Sequence, residues 1–177
     1  STGGRGFGED AFHAMWFALF RDFQPKFALE IGVFRGQVLS LWSLLSYNFG
    51  LSCEVHGISP FSPAGDSVST YDGGIDYYAD TIRNLRMFGA RDAFLHKGFS
   101  TEEDMVGVIR SRKWDVIYID GNHDYDVVRQ DFENCRRAVR HGGLIVFDDA
   151  SLFNGYSPAS YSSAGHPGPS KVADEID

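Results

Sequence analysis

Asp120, Asp148 and Asp149 each follow a short apolar run, and His123 lies three residues past the first of them. If the two runs are neighbouring strands, their ends lie about 4.8 Å apart, so the three carboxylates converge above the sheet. Carboxylates held that close repel one another unless a cation sits among them. Hard oxygen ligands suit Mg²⁺ best, with Mn²⁺ or Ca²⁺ as alternatives. A histidine beside such a cation could take the proton from a hydroxyl, because its pKa lies near working pH. A second group, Glu30, Gly32 and Gly36 in LEIGVFRG, ends an earlier apolar run. Glycines there allow a tight turn and a close approach of ligand to backbone. The dinucleotide fingerprint would need glycines at 32, 34 and 37, but Phe34 and Gln37 stand at the last two. Glu30 would also repel a pyrophosphate, whereas a ligand carrying an ammonium and a sulfonium would be welcome. Plainer readings stay open beside these: a strand–helix turn with a surface carboxylate, Asp120 as a ligand contact without metal, and His123 as a helix-start residue packed on Tyr125.

The pattern Glu30-x-Gly32-x-x-x-Gly36 resembles motif I of class I S-adenosylmethionine (SAM)-dependent methyltransferases. WDVIYIDGNHDYDVVRQDFENCRRAVRHGGLIVFDDAS, residues 114–151, resembles nearly end to end a block of small bacterial-type methyltransferases. These are related to the macrolide and aminocoumarin sugar O-methyltransferases, and the acids also fall as in the catechol-type enzymes. The resemblance covers roughly residues 26–151. It implies SAM as cofactor, with Glu30, Gly32, Val33, Phe34, Gly36 and Asp120 around its methionine end. It further implies a divalent cation, Mg²⁺ or another, on Asp120, Asp148 and Asp149, and His123 as general base. Ser59 stands where an acid usually holds the ribose; Asp66 could compensate, or could simply form a turn. Gly98 and Ser100 match the region lining the adenine, and Ser100 also reads as the cap of the helix after it. Asn122 replaces the acid of the sugar enzymes.

Elements that could position these groups alternate along the chain. Helical patterns cover residues 10–23, 37–49, 75–88, 101–110, 124–140 and 171–177, the last capped by Ser170. Strand patterns cover 27–32, 53–58, 93–96, 114–119 and 144–147. The rhythm predicts a doubly wound, Rossmann-like α/β fold: a mostly parallel sheet in three α/β/α layers, with ligands at the carboxyl ends of the strands. One domain over residues 1–177 is expected, with a leading helix region to residue 25 and a loop and short helix from 151. The antiparallel strand pair that completes such folds has no counterpart in the sequence.

Composition narrows the function. The 177 residues are 43% hydrophobic and 15% aromatic, which excludes general disorder. Net charge is −8, and only Arg136, Arg137 and Arg140 cluster, so a nucleic-acid partner is disfavoured against a small neutral or cationic substrate. No apolar run reaches the roughly 20 residues of a membrane span, and the start lacks the features of a signal peptide. Cys53 and Cys135 read as free thiols of a reducing, cytoplasmic setting. The expected function is metal-assisted O-methylation of a sugar, polyketide or phenol. A methyltransferase-fold binding module without chemistry is the alternative, and a homo-oligomer is left open.

Overall fold

The computed structural model describes residues 10–90, 93–155 and 163–176. Its elements follow in the order α1 (Asp10–Phe23), β1 (Phe27–Ile31), α2 (Gln37–Asn48), β2 (Glu54–Ser59), α3 (Tyr77–Met87), β3 (Phe94–Lys97), α4 (Glu103–Arg110), β4 (Trp114–Ile119), α5 (Tyr125–Ala138), β5 (Val139–Phe147) and α6 (Pro167–Asp174). Five strands form one sheet in the order β3-β2-β1-β4-β5, and every neighbouring pair is parallel.

Parallel strands need crossovers, and the crossover helices cover both faces of the sheet. β4 accordingly buries all six of its residues. Alternate side chains of β1 and β4 enter opposite layers. Ala28, Val116 and Tyr118 pack with Trp16 and Phe20 of α1, Trp42 of α2 and Leu85 of α3. Leu29, Ile31, Ile117 and Ile119 pack with Ile109 of α4 and Cys135 of α5. The expected three-layer α/β/α arrangement is the one found. Both cysteines are free.

Three local expectations are corrected. The helix predicted to reach residue 140 stops at Ala138, because Val139 pairs with Trp114 and opens β5; the register breaks before Leu144 pairs with Val116. Arg140 turns back within that break to ion-pair with Asp115, and Gly142 takes φ 71°. Ser170 does not cap the last helix, which begins at Pro167 behind His166. Proline presets φ and has no N–H to satisfy, so it suits that first position. The Ser170 hydroxyl instead accepts from Leu152 N at 3.1 Å and donates to Asp149 O at 3.2 Å. Ser100 does not cap α4 either, whose cap position is Glu102. No strand follows β5 among the described residues. The Gly-rich residues 1–9, and residues 156–162 of the loop expected after β5, lie outside the described residues.

Candidate active site

The carboxyl ends of β1, β4 and β5 lie side by side, tied by Asp120 N to Ile31 O at 2.8 Å and Asp148 N to Ile119 O at 3.0 Å. The turn after β1 is pressed against the turn after β4. Gly32 has φ 104°, and a Cβ there would stand 2.0 Å from Asp120 O, so glycine is required at this position by backbone contact alone. Gly36, at φ 79°, is the cap residue of α2. Val33 is 3% exposed and its side chain belongs to the core; Phe34 lies 5.5 Å, ring to ring, from Tyr71 and from Tyr77.

Four acids gather here. Glu30 is 3% exposed, and its Oε2 is buried without a hydrogen-bond partner. Burial, reinforced by the nearby Asp148, pushes its pKa up to about 8. Burial, Asp148 and Glu30 likewise raise Asp120 well above the ordinary carboxyl range. Asp148 also accepts the Tyr118 hydroxyl at 2.7 Å and Asp149 N at 2.9 Å. A buried acceptor with no donor, beside an acid that burial and its carboxylate neighbours hold in the neutral form, fits a cation. Glu30 thus suits the ammonium of a methionine moiety, and Asp120 and Asp148 would share a divalent metal with Asp149 only if Asp149 turned back toward them.

Asp149 points away from that pair. Its backbone sits at φ 51°, unusual for a residue with a side chain, and its Oδ2 lies 3.1 Å from His123 Nε2 and 3.7 Å from His166 Nε2. The other side of His123 belongs to Asp66, whose Oδ2 lies 2.7 Å from Nδ1 and accepts His123 N at 2.9 Å. Asp66 Oδ1 accepts the amides of Val68 and Ser69 at 3.0 and 2.7 Å. Burial pushes the Asp66 carboxyl up, but these bonds outweigh it and bring the pKa down to about 2. For His123, burial opposes the charged form, and the bonds with Asp149 and Asp66 prevail and raise its pKa. Asn122 accepts Asp124 N at 2.7 Å, so the residue replacing the sugar-enzyme acid forms the turn that carries His123.

Ser59 and Gly98 meet at the ends of β2 and β3, where Gly98 N donates to Ser59 O at 3.0 Å. The Ser59 hydroxyl accepts Phe61 N at 3.3 Å and keeps its own proton to donate. The turn after β1 and the acids of β4 and β5 come together, while Gly98 and Ser100 lie further along the same rim of the sheet. His166 escaped sequence reading. It lies in a Ser-, Gly- and Pro-rich stretch without periodicity, and only the tertiary bond from its N–H to Asp149 O at 2.8 Å brings it in. Asp66 was legible as a turn former but not as the partner of His123, from which 57 residues separate it.

A parallel sheet ordered β3-β2-β1-β4-β5 between two layers of helices is the Rossmann-like α/β fold found in methyltransferases. Residues 29–150 match the family described as "Methyltransferase domain", and the chain belongs to that family. An uncharacterized protein of Acanthamoeba polyphaga mimivirus is 26% identical over 150 residues, covering 84% of this chain and 59% of that protein. Among solved structures, the Bacillus cereus O-methyltransferase in complex with SAH is similar at TM-score 0.67 and 15% identity, over 97% of this chain and 70% of that one. TomG of Streptomyces achromogenes, an O-methyltransferase in tomaymycin synthesis bound to SAM, is similar at TM-score 0.66 and 16% identity, over 95% and 68%. The chain spans 59% of the mimiviral relative and 56% of the Podospora anserina methyltransferase. No helix of the described residues is long and apolar enough to cross a membrane.

Proposed function

We propose that this chain transfers the methyl group of SAM to a hydroxyl of a small molecule, with a divalent cation at the acids that close β4 and β5. The observation that carries this reading is Glu30. A buried carboxyl with an unpartnered oxygen, set between the β1 turn and the Asp120–Asp148 pair, is a place for one positive charge and little else. Membership of the methyltransferase family and the likeness to SAM- and SAH-bound O-methyltransferases support it.

In this reading Glu30 receives the cofactor's ammonium, and Gly32, Val33, Phe34 and Gly36 shape the turn along its methionine end. The Ser59 hydroxyl donates to a ribose hydroxyl, and Gly98 and Ser100 border the adenine. Asp120, Asp148 and Asp149 hold the cation, Mg²⁺ in the first instance, which supplies Lewis acidity toward the acceptor oxygen. A sulfonium needs no acid for its leaving group, so the protein's work is to align the acceptor and accept its proton. His123 takes that task in this reading, with Nδ1 held by Asp66; to act as a base it must first pass its Nε2 proton to Asp149 or solvent and turn from that carboxylate.

Calorimetric titration of SAM checks the cofactor assignment. Glu30→Gln keeps the shape and removes the charge, and a charged hydrogen bond of about 1.5–3 kcal/mol corresponds to affinity weakened about 10- to 100-fold. Equal affinity in the two proteins would place the ammonium elsewhere. With a panel of phenols and sugars as acceptors, SAH release that survives excess chelator undiminished would remove the cation from the reaction.

A further inference from the structure

We propose that His123, Asp149 and His166 form a binding site for a divalent transition-metal ion, with two imidazoles and one carboxylate as ligands. The proposal is a second ligand set for the cation of the methyl-transfer reading, sharing Asp149 with the three acids and taking His123 from the role of base. It rests on that reading only for the ion's use, not for its binding.

Geometry comes first. One ligand atom from each residue lies within 4.8 Å of the other two. Ions of the zinc type bind nitrogen and oxygen at about 2.0–2.2 Å, which sets neighbouring ligand atoms about 3–3.5 Å apart. His123 Nε2 and Asp149 Oδ2 already stand at 3.1 Å, and His166 Nε2 stands 3.7 Å from the same oxygen. The two rings meet edge to face, with centroids 4.5 Å apart, so rotations of the side chains alone bring the three atoms to coordination distance.

A surrounding frame holds this arrangement. Asp66 accepts the Nδ1–H of His123. It thereby orients the ring so that an ion displacing the Nε2 proton meets a lone pair aimed inward, as carboxylates behind metal-bound imidazoles do. His166 is strapped in from the other side, its N–H on Asp149 O and the Ser170 hydroxyl on the same carbonyl. The strap is seated too closely for side chains. A Cβ on Gly165 would stand 2.1 Å from Asp149 O, and one on Gly168 would stand 2.0 Å from His123 O. Asp149 itself holds the sparsely populated φ of 51°, a departure that persists only where its surroundings impose it.

The donor set decides the kind of ion. Two imidazole nitrogens and one carboxylate suit Zn²⁺, Fe²⁺ or Co²⁺, whereas Mg²⁺ prefers an all-oxygen shell. Asp148 meanwhile accepts the Tyr118 hydroxyl and the Asp149 amide. His123 with an ion on Nε2 has no free nitrogen, so in the filled site it is a ligand and not the base.

Metal-stripped protein titrated with Co²⁺ and followed by visible absorption and calorimetry tests the assignment. We expect one Co²⁺ per chain, displaced by Zn²⁺ and not by equimolar Mg²⁺. His166→Ala should weaken binding at least about tenfold, and Asp66→Asn about 10- to 100-fold. The His166 side chain is 33% exposed, so its truncation leaves no buried void, and His166→Gln provides a second variant. Asp148→Asn, which keeps an acceptor for Asp149 N, should leave Co²⁺ affinity unchanged. Absence of Co²⁺ binding to the parent protein would overturn the proposal. So would binding lost in Asp148→Asn but intact in His166→Ala, which would return the ion to the three acids. SAM titration of the same His166 variant reports the methyl-transfer reading separately, since a cofactor site at Glu30 survives the loss of His166.

Discussion

A single methyl group added at position 32 has nowhere to go. Asp120 O stands 2.0 Å from where it would lie, and φ of 104° is itself foreign to side chains. Gly32→Ala is therefore expected to destabilise the fold by at least about 2 kcal/mol, read from the midpoint of urea unfolding. A midpoint equal to the parent's would mean that the two turns separate freely. Any loss of SAM binding in such a variant is thus a loss of fold, and Glu30→Gln is the sharper probe. Individual residues were legible where one rule sufficed: Glu30 by its charge at a strand end, and Gly32 and Gly36 by their spacing. Val33 was read as a ligand contact, yet its side chain is core. A Cβ on Gly57 in β2 would stand 2.5 Å from it, and no local pattern announces such a pairing across strands. His56 Nδ1 meets His96 Nε2 at 3.0 Å, and the His56 ring packs on Phe94 and Trp114.

Elements were legible wherever periodicity and burial agree, as in β4, whose bounds match the expectation of residues 114–119. They failed at α5 and β5, because Val139 suits a helix face and a strand equally, and tertiary pairing with Trp114 decided. Asp115 is the residue that makes this junction. Its Oδ2 accepts both Lys26 N and Phe27 N at 2.8 Å, and its Oδ1 holds Arg140. Asp115→Ala would strand two backbone donors at the start of β1 and free the Arg140 guanidinium. The expected loss is about 2–4 kcal/mol by denaturant unfolding, most of it from the unsatisfied amides. Arg140→Ala should cost clearly less, because that side chain is 41% exposed and water replaces its partner; equal losses would show that the ion pair and not the amides governs the junction.

The molecule as a whole carries a signature of its buried histidine in its response to acid. His56 is 5% exposed, and burial, with the Arg112 charge, lowers its pKa to about 4 from an unfolded value near 6.5. Between those values the unfolded chain binds more protons than the folded one, so His56 favours folding above pH 6.5 and that contribution is lost as pH falls toward 4. His56→Leu should flatten the curve of stability against pH in that window by up to about 2 kcal/mol, and parallel curves for the two proteins would contradict it. The parallel, three-layer build of the sheet was the most legible feature at this scale, because strands that alternate with helices imply crossovers on both faces. The assembly of Asp66, His123, Asp149 and His166 was the least legible, because it depends on contacts far apart in the chain. The same remoteness governs how the chain folds. The bonds from Lys26 and Phe27 to Asp115 reach across 89 and 88 residues, and closing a loop of that length costs about 4 kcal/mol of chain entropy before any contact repays it. Until that closure, β1 has only β2 beside it, and Glu30 has neither Asp148 nor the turn after β4. Setting the central strand of the sheet and assembling the acids are therefore one kinetic event, and an alteration that slows the first delays the second equally.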